Sequence, residues 1–239
     1  KRQAIDSGSA VQSPTGGVLG FDSGTGLNVD GVTYSFPVGG ASMVVGDATD
    51  VSATFTGACA YSAFTDTLGD CGTGNSLGAG GSGVSASLGY AFDSGFSLAG
   101  GVSSPTTGIL TTESSDIIGI EGAYTADKYA IAVAYSSVDN AADAETAYWG
   151  INASYSPEST AFPSISVGFE IEETSGADAE GYFLGLTWPE VGPGSASLGV
   201  GSNGNFGDGA NDLLIYEASY SYPVNDSLTI TPGVFIQNV

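Results

Sequence analysis

Carboxylates dominate the reactive chemistry of this sequence. Asp and Glu number 26 against Lys1, Arg2 and Lys128, histidine is absent, and the formal net charge is -23. Without histidine there is no Ser-His-Asp or Cys-His machinery, and no G-x-S-x-G elbow occurs, so nucleophilic catalysis is not expected. Two carboxylates can hydrolyse a glycoside, but among so many acids close pairs arise by chance; the chain reads as a non-enzyme. Gly78, Gly80 and Gly83 have the G-x-G-x-x-G spacing, yet they precede a strand and no helix offers its N-terminus to a phosphate. Nucleic acid is excluded as a partner, because binding it rests on basic side chains that neutralise phosphates.

What fixed carboxylates do well is raise the local concentration of cations. The candidates lie at expected strand ends and loop bases: Glu113, Asp116, Asp139, Asp143, Glu145, Glu170, Glu172 and Glu173, at the mouth or in the lumen of a passage. The same acidity also keeps an exported protein soluble, and both readings stand. Residues 203–212 (NGNFGDGAND) and the acids of 170–180 offer calcium the oxygen ligands it takes, although their spacing completes no known calcium loop. No other cofactor is expected. Cys59 and Cys71 lie in a Gly-, Ser- and Thr-rich stretch and read as a disulfide closing a small loop of an exported protein; a zinc site would need more soft ligands.

These groups must be carried by strands. Over 83–135 one unit occurs twice. Val84, Ala86, Leu88, Tyr90 and Phe92 share a face, with Ser85, Ser87, Gly89 and Ala91 between them, the period of two of a strand whose faces meet different surroundings. A tight turn at 93–95 leads into Phe96, Leu98, Gly100 and Val102. Ile118, Ile120, Gly122 and Tyr124 then pair in pattern with Tyr129, Ile131, Val133 and Tyr135. Further pairs are read at 31–37 with 42–46, 148–155 with 165–171, 182–188 with 195–200, and 213–222 with 228–236. Short turns alternate with long polar loops, and the aromatics gather at the short-turn end: Tyr90, Phe92, Phe96, Tyr124 and Tyr129, then Tyr155, Phe162, Trp188, Tyr220 and Tyr222.

This pattern predicts an all-β, antiparallel up-and-down transmembrane β-barrel of about 12 or more strands, with short turns on one side, long acidic loops on the other and the aromatics as an interfacial girdle. No apolar run approaches the ~20 residues of a membrane-spanning helix. In lipid a strand architecture must pair every backbone group, which a barrel does by closing. A single domain over 1–239 is expected. It would have an irregular lead-in at 1–30, containing one short strand at 17–21, and a long cysteine loop at 47–81 lying either outside or within the pore.

Several strings carry a family resemblance: GVTYSFPVGGASMVVG at 31–46, the stretch 83–101, FPSISVGF at 162–169, GYFLGLTW at 181–188 and above all YEASYSYPVNDSLTITPGVF at 216–235. In this order they resemble the carboxy-terminal barrel of cyanobacterial outer-membrane porins of the iron-uptake type, related to carbohydrate-selective porins. The resemblance implies a passive outer-membrane channel, commonly a trimer, for inorganic ions and small solutes. Nothing in 1–239 corresponds to that family's tether domain. The competing expectation from the residues is an acidic β-rich surface protein that assembles with itself, calcium bridging its carboxylates.

Overall fold

A computed structural model describes residues 31–47, 49–79, 83–104, 115–140, 144–174, 178–207 and 213–237. The strand read at 17–21 lies outside them. The described residues hold strands and no helix: β1 (Val32–Val38), β2 (Ala41–Asp47), β3 (Val84–Ala91), β4 (Phe96–Ser104), β5 (Asp116–Thr125), β6 (Tyr129–Asn140), β7 (Ala144–Tyr155), β8 (Ser164–Thr174), β9 (Asp178–Val191), β10 (Gly194–Ser202), β11 (Phe206–Gly207), β12 (Leu214–Asn225), β13 (Leu228–Ile230) and β14 (Gly233–Gln237). Each pairs antiparallel with its neighbour in sequence, save that β11 adds two residues beside β9 while β13 and β14 both pair with β12. The latter two are one returning strand broken at Pro232, which has no N–H to give the ladder; its carbonyl still accepts from Tyr220 N at 3.0 Å. Among the described residues the wall therefore has twelve staves.

Strand boundaries differ from the periodicity reading at the acidic ends. β7 begins at Ala144, β8 runs to Thr174 and β9 starts at Asp178, so the acids after Ile171 belong to strands and not to a loop. Their side chains break the apolar alternation, but the backbone continues to pair, Glu172 opposite Tyr148 and Glu173 opposite Asp178.

The two faces of this sheet are inverted relative to a soluble protein. Ile120 is 55% exposed and Leu98 58%, whereas Ala132, Ser136 and Ser103 on the opposite phase are wholly covered. The outward phase carries Val84, Leu88, Ile118, Ile131, Val133, Ile151, Val167 and Leu184, an apolar belt continuous across neighbouring strands. The inward phase is mostly Ser, Ala and Gly, with a few carboxylates, Asn152 and the apolar Ile117, Phe183 and Ile215, and it leaves room for a second layer. Ile120→Arg, at the middle of β5, is expected to cost about 2–4 kcal/mol, as a cation does at mid-bilayer on a barrel's lipid face. Urea titration in lipid vesicles measures it, and wild-type stability for this variant would remove the belt reading.

The core sits between that inner face and the chain segment joining β2 to β3. Its clusters are Leu68, Cys71, Phe183 and Ile215; Val51, Ala79 and Ile117; and Ala58, Ala123 and Ala132. Among the described residues β1 pairs only with β2, and neither β13 nor β14 pairs with β1.

A candidate constriction on the inner wall

The cysteine segment lies inside, and its path is legible contact by contact. The outgoing arm moves one or two staves at a time around the wall. The Thr54 hydroxyl meets that of Ser87 on β3 at 2.6 Å and the Thr56 hydroxyl that of Ser97 on β4 at 2.9 Å. Ala58 packs on Ala123 of β5 and Ala132 of β6, and its N–H donates to Asn152 Oδ1 on β7 at 2.8 Å. Ala60 N–H reaches Ser166 Oγ on β8 at 3.0 Å, the Tyr61 ring lies over Gly185 and Gly199 of β9 and β10, and Phe64 lies on Gly233 of β14. Residues 54–64 can span about 33–36 Å when extended. From β3 to β12, where Glu217 accepts from Phe64 N–H, eight inter-strand steps of ~4.8 Å make about 38 Å of wall, and an arc inside that wall is shorter. A nearly extended arm thus fits, provided nothing bulky separates it from the sheet.

The returning arm runs back along the same wall. Leu68 fills the space over Gly201, the Cys71 carbonyl abuts Gly168, and Ser76 Oγ abuts Gly150. A Cβ on Gly168 or Gly150 would collide with the arm, so these two positions need glycine for room and not for backbone conformation. Ser136 Oγ donates to the Asn75 carbonyl at 2.7 Å, and Ser52 N–H donates to the Ala79 carbonyl at 3.2 Å to close the base. A disulfide between Cys59 and Cys71 (Cα–Cα 6.1 Å) staples the outgoing arm to the returning one. Its 12-residue separation makes it worth roughly 3 kcal/mol by chain entropy. Replacing both cysteines by serine is expected to lower stability by that order, read by thermal unfolding with and without reductant. An unchanged transition would mean that the wall contacts alone hold the arms.

Three inward carboxylates fasten the layer to the wall. Glu121 on β5 accepts from Thr56 N–H at 2.8 Å and Gly57 N–H at 3.0 Å. Glu170 on β8 accepts from Ser76 N–H at 2.7 Å, Ser76 Oγ at 2.6 Å, Asn75 Nδ2 at 2.9 Å and Asn205 Nδ2 at 3.1 Å. Glu217 on β12 accepts from Tyr61 OH, Phe64 N–H and Thr65 N–H, each at 2.8 Å, and from Thr65 Oγ1 at 2.5 Å. All three are buried, with exposures of 4%, 1% and 5%. A buried anion is tolerable when donors surround it, and here the donors are the loop's backbone N–H groups and polar side chains, joined at Glu170 by Asn205. Each side satisfies the other. Burial and the bond to Glu217 push the Tyr61 phenol well up from its ordinary value.

The expected cation-attracting residues fall into different places. Glu170 is an anchor whose oxygens are occupied by loop donors, which leaves it a poor lure for ions. Glu172 shares the inner phase, half-buried beside Tyr148. Asp139, Glu145 and Glu173 take the outward phase beyond the apolar belt and form an outer rim; Asp139 lies opposite both Asp116 and Glu145, and Ser137 Oγ donates to Glu145 at 2.7 Å. Asp116 is buried at the start of β5. Glu113 and Asp143 lie outside the described residues. Three further carboxylates, Asp50, Asp66 and Asp70 of the loop, are exposed. Asp70 borders a polar cavity of about 220 Å³ with Thr56, Thr73 and Asn152. Partial desolvation, followed by the charges of Asp66, Glu170 and Asp50, raises the Asp70 carboxyl above the usual carboxylate range.

For calcium, no three acidic, cysteine or histidine side chains converge among the described residues. Asn205, from the stretch expected to bind it, instead reaches inward to Glu170. The aromatics named from sequence stand at the short-turn end. Tyr90 and Phe92 touch at 4.7 Å between centroids, Phe96 and Tyr124 at 4.7 Å, and Tyr124 and Tyr129 at 5.9 Å. Tyr155, Tyr222 and the turn residue Phe162 are exposed, Trp188 is half-buried, and Tyr220 gives its hydroxyl proton to the Val191 carbonyl at 2.8 Å. Periodicity missed a second tier further along the outward phase, where Tyr135 and Trp149 meet at 4.7 Å. It also missed Glu121 and Glu217. Their signal was present: in Ile120-Glu121-Gly122 and Tyr216-Glu217-Ala218 a lone carboxylate occupies the small-residue phase, where only donors from elsewhere in the chain can meet it.

No family model and no curated protein matches the sequence. Among solved structures, variants of the Rhodobacter blastica porin are similar. One, with two acidic residues changed to alanine, is 16% identical with a TM-score of 0.54; another, carrying an introduced lysine, is 14% identical with a TM-score of 0.55. Both alignments cover 90% of this chain and 74% of the porin chain. At such identity the likeness is one of fold. The chain has a porin-like antiparallel β-barrel fold whose β2–β3 connection lies against the inner wall.

Proposed function

We propose that the chain is an outer-membrane channel for passive diffusion of inorganic cations, iron among them, and small solutes, narrowed by the stapled loop 49–79. The observation that carries this reading is the loop itself. It is fastened to the inner wall through Glu121, Glu170 and Glu217 and leaves its own Asp50, Asp66 and Asp70 exposed. Of the three basic residues, the one within the described part, Lys128, sits at a short turn bound to Glu158 at 2.5 Å, so it does not offset these charges. The outward apolar belt and the aromatic tiers support insertion in lipid. The outer rim acids, iron or carbohydrate as the solute carried, and a trimeric assembly belong to the proposal as well.

The test is a planar-bilayer recording under a KCl gradient at low ionic strength. Stepwise currents with a reversal potential on the cation side are expected. Anion preference, or a purified protein that stays dispersed without detergent and carries no current, would overturn the reading and favour an acidic surface protein.

A further inference from the structure

We propose that a furrow in the apolar belt seats one acyl chain of a zwitterionic phospholipid, whose ammonium group is held at the short-turn end by Asp93. The inference rests on the membrane reading above. The furrow, of about 530 Å³, is sunk into the outward face of β4, β5 and β6. Cross-strand register gives its shape. In the row nearest the turns Phe96, Tyr124 and Ile131 stand side by side, and in the next row Leu98 and Val133 flank Gly122. The missing side chain of Gly122 makes the floor, and Ile120, the next outward residue of β5, stands beyond it toward mid-belt.

The fold itself does not require Gly122. A glycine inside a strand costs stability relative to alanine, and it commonly marks a bulge, a tight bend or a place where something else comes close. Pairing of β5 with β4 and β6 runs through Gly122 without a shift of register, and its φ is not positive. A Cβ there would meet only Leu98 Cδ2, at 3.6 Å, an ordinary contact. On the inner face, Gly150 and Gly168 are covered by the loop that lies on them. Gly122 offers the same room on the lipid face.

The surroundings select the occupant. Lipid tails are the medium on this face, and a hollow left unfilled there forfeits dispersion contacts along its lining. Leu98, Gly122 and Val133 offer water no side-chain partner. The furrow begins among the aromatics of the short-turn end, which mark headgroup level, and runs into the belt, so a chain descending from a headgroup can follow it. Its mouth is acidic. Ser94 lines it, with Asp93 beside it in the β3–β4 turn, and both are exposed. That turn is tied to the end of β5 by Thr125 N–H donating to the Gly95 carbonyl at 2.9 Å, and exposed Asp127 follows in the next turn. Lys128, the cation of that turn, is engaged by Glu158. Such a mouth attracts an ammonium group and repels a headgroup of net negative charge.

The test is native mass spectrometry of the refolded chain in detergent, supplied with phosphatidylethanolamine or phosphatidylglycerol of identical acyl chains. Retention of one phosphatidylethanolamine per chain is expected, with phosphatidylglycerol held severalfold more weakly. Gly122→Leu fills the floor and removes about ten carbon–carbon contacts, so retention should fall roughly tenfold. Asp93→Asn, in an exposed turn that leaves the wall intact, should erase the preference between the two lipids while a chain is still bound. Equal retention by wild type and Gly122→Leu, or an unchanged preference in Asp93→Asn, overturns the proposal. So does a dimer that Gly122→Leu dissolves, since the occupant would then be a second copy. Planar-bilayer currents are recorded from the same preparations. Cation-selective steps from a wild type that retains neither lipid overturn the furrow alone; a protein that needs no detergent and carries no current overturns the channel reading with it.

Discussion

Glu217→Ala is expected to release the far end of the inner loop and to open the passage. The wild-type carboxylate takes four hydrogen bonds, from Tyr61, Phe64 and both donors of Thr65, at the point where the outgoing arm turns back. Truncation leaves two backbone N–H groups and two hydroxyls facing a small apolar pocket. Stranding the partners of a buried charge costs on the order of 3–5 kcal/mol, enough to make detachment of residues 61–68 the cheaper state. Single-channel conductance should rise severalfold and become noisy. Amide exchange over 61–68 should speed up, while exchange in β6 and β7, remote from the turn, stays slow. Glu217→Gln should recover only part of the effect, because its amide nitrogen confronts the Thr65 donors that an oxygen now accepts from. Wild-type conductance together with unchanged exchange in Glu217→Ala would mean that the loop is held by its apolar contacts with Phe183, Ile215 and Phe235 alone.

How much of this was written in the primary sequence differs between wall and loop. Alternation fixed the strands wherever the two faces meet different media: Val84 to Phe92 and Ile118 to Tyr124 could be assigned because lipid-facing and inward residues differ in kind. The pattern failed where both faces are polar, as at Glu172–Thr174 and Asp178–Glu180, which pair as strands on backbone hydrogen bonding that side-chain type does not report. The loop was invisible to periodicity for a different reason. It has no regular structure of its own, and its conformation is borrowed from the wall through contacts as remote as Tyr61 to Glu217. Its small residues read as turn composition, though they serve to let an extended arm lie flat on glycine. The acids followed the same division. Abundance drew attention to strand ends, whereas phase along the strand would have separated anchors such as Glu121 and Glu217 from rim residues such as Glu145.

Neutralising the loop's exposed acids with Asp66→Asn/Asp70→Asn is expected to remove most of the cation preference while leaving the fold intact. Both side chains are exposed on the inner loop, and neither is one of the wall anchors. Fixed charge in a narrow passage sets the local cation concentration, so the permeability ratio measured in dilute KCl should fall by roughly threefold or more. Near 1 M salt, where screening extends only ~3 Å, variant and wild type should converge. Glu145→Gln/Glu173→Gln, on the outer rim, should change the ratio far less. Acid should act along the same path. Because the Asp70 carboxyl is held above its ordinary range by partial desolvation and by Asp66, Glu170 and Asp50, it binds its proton at a higher pH in the folded protein than in the unfolded chain. Its contribution to stability is then present at low pH and lost as pH rises through the raised value. Acidification should therefore weaken selectivity in a window just above the ordinary carboxylate range, with no loss of stability from this group. In the double Asn variant that step of the selectivity curve should vanish. A double variant as selective as wild type at low salt would locate the controlling charge at the rim and withdraw the loop from that role.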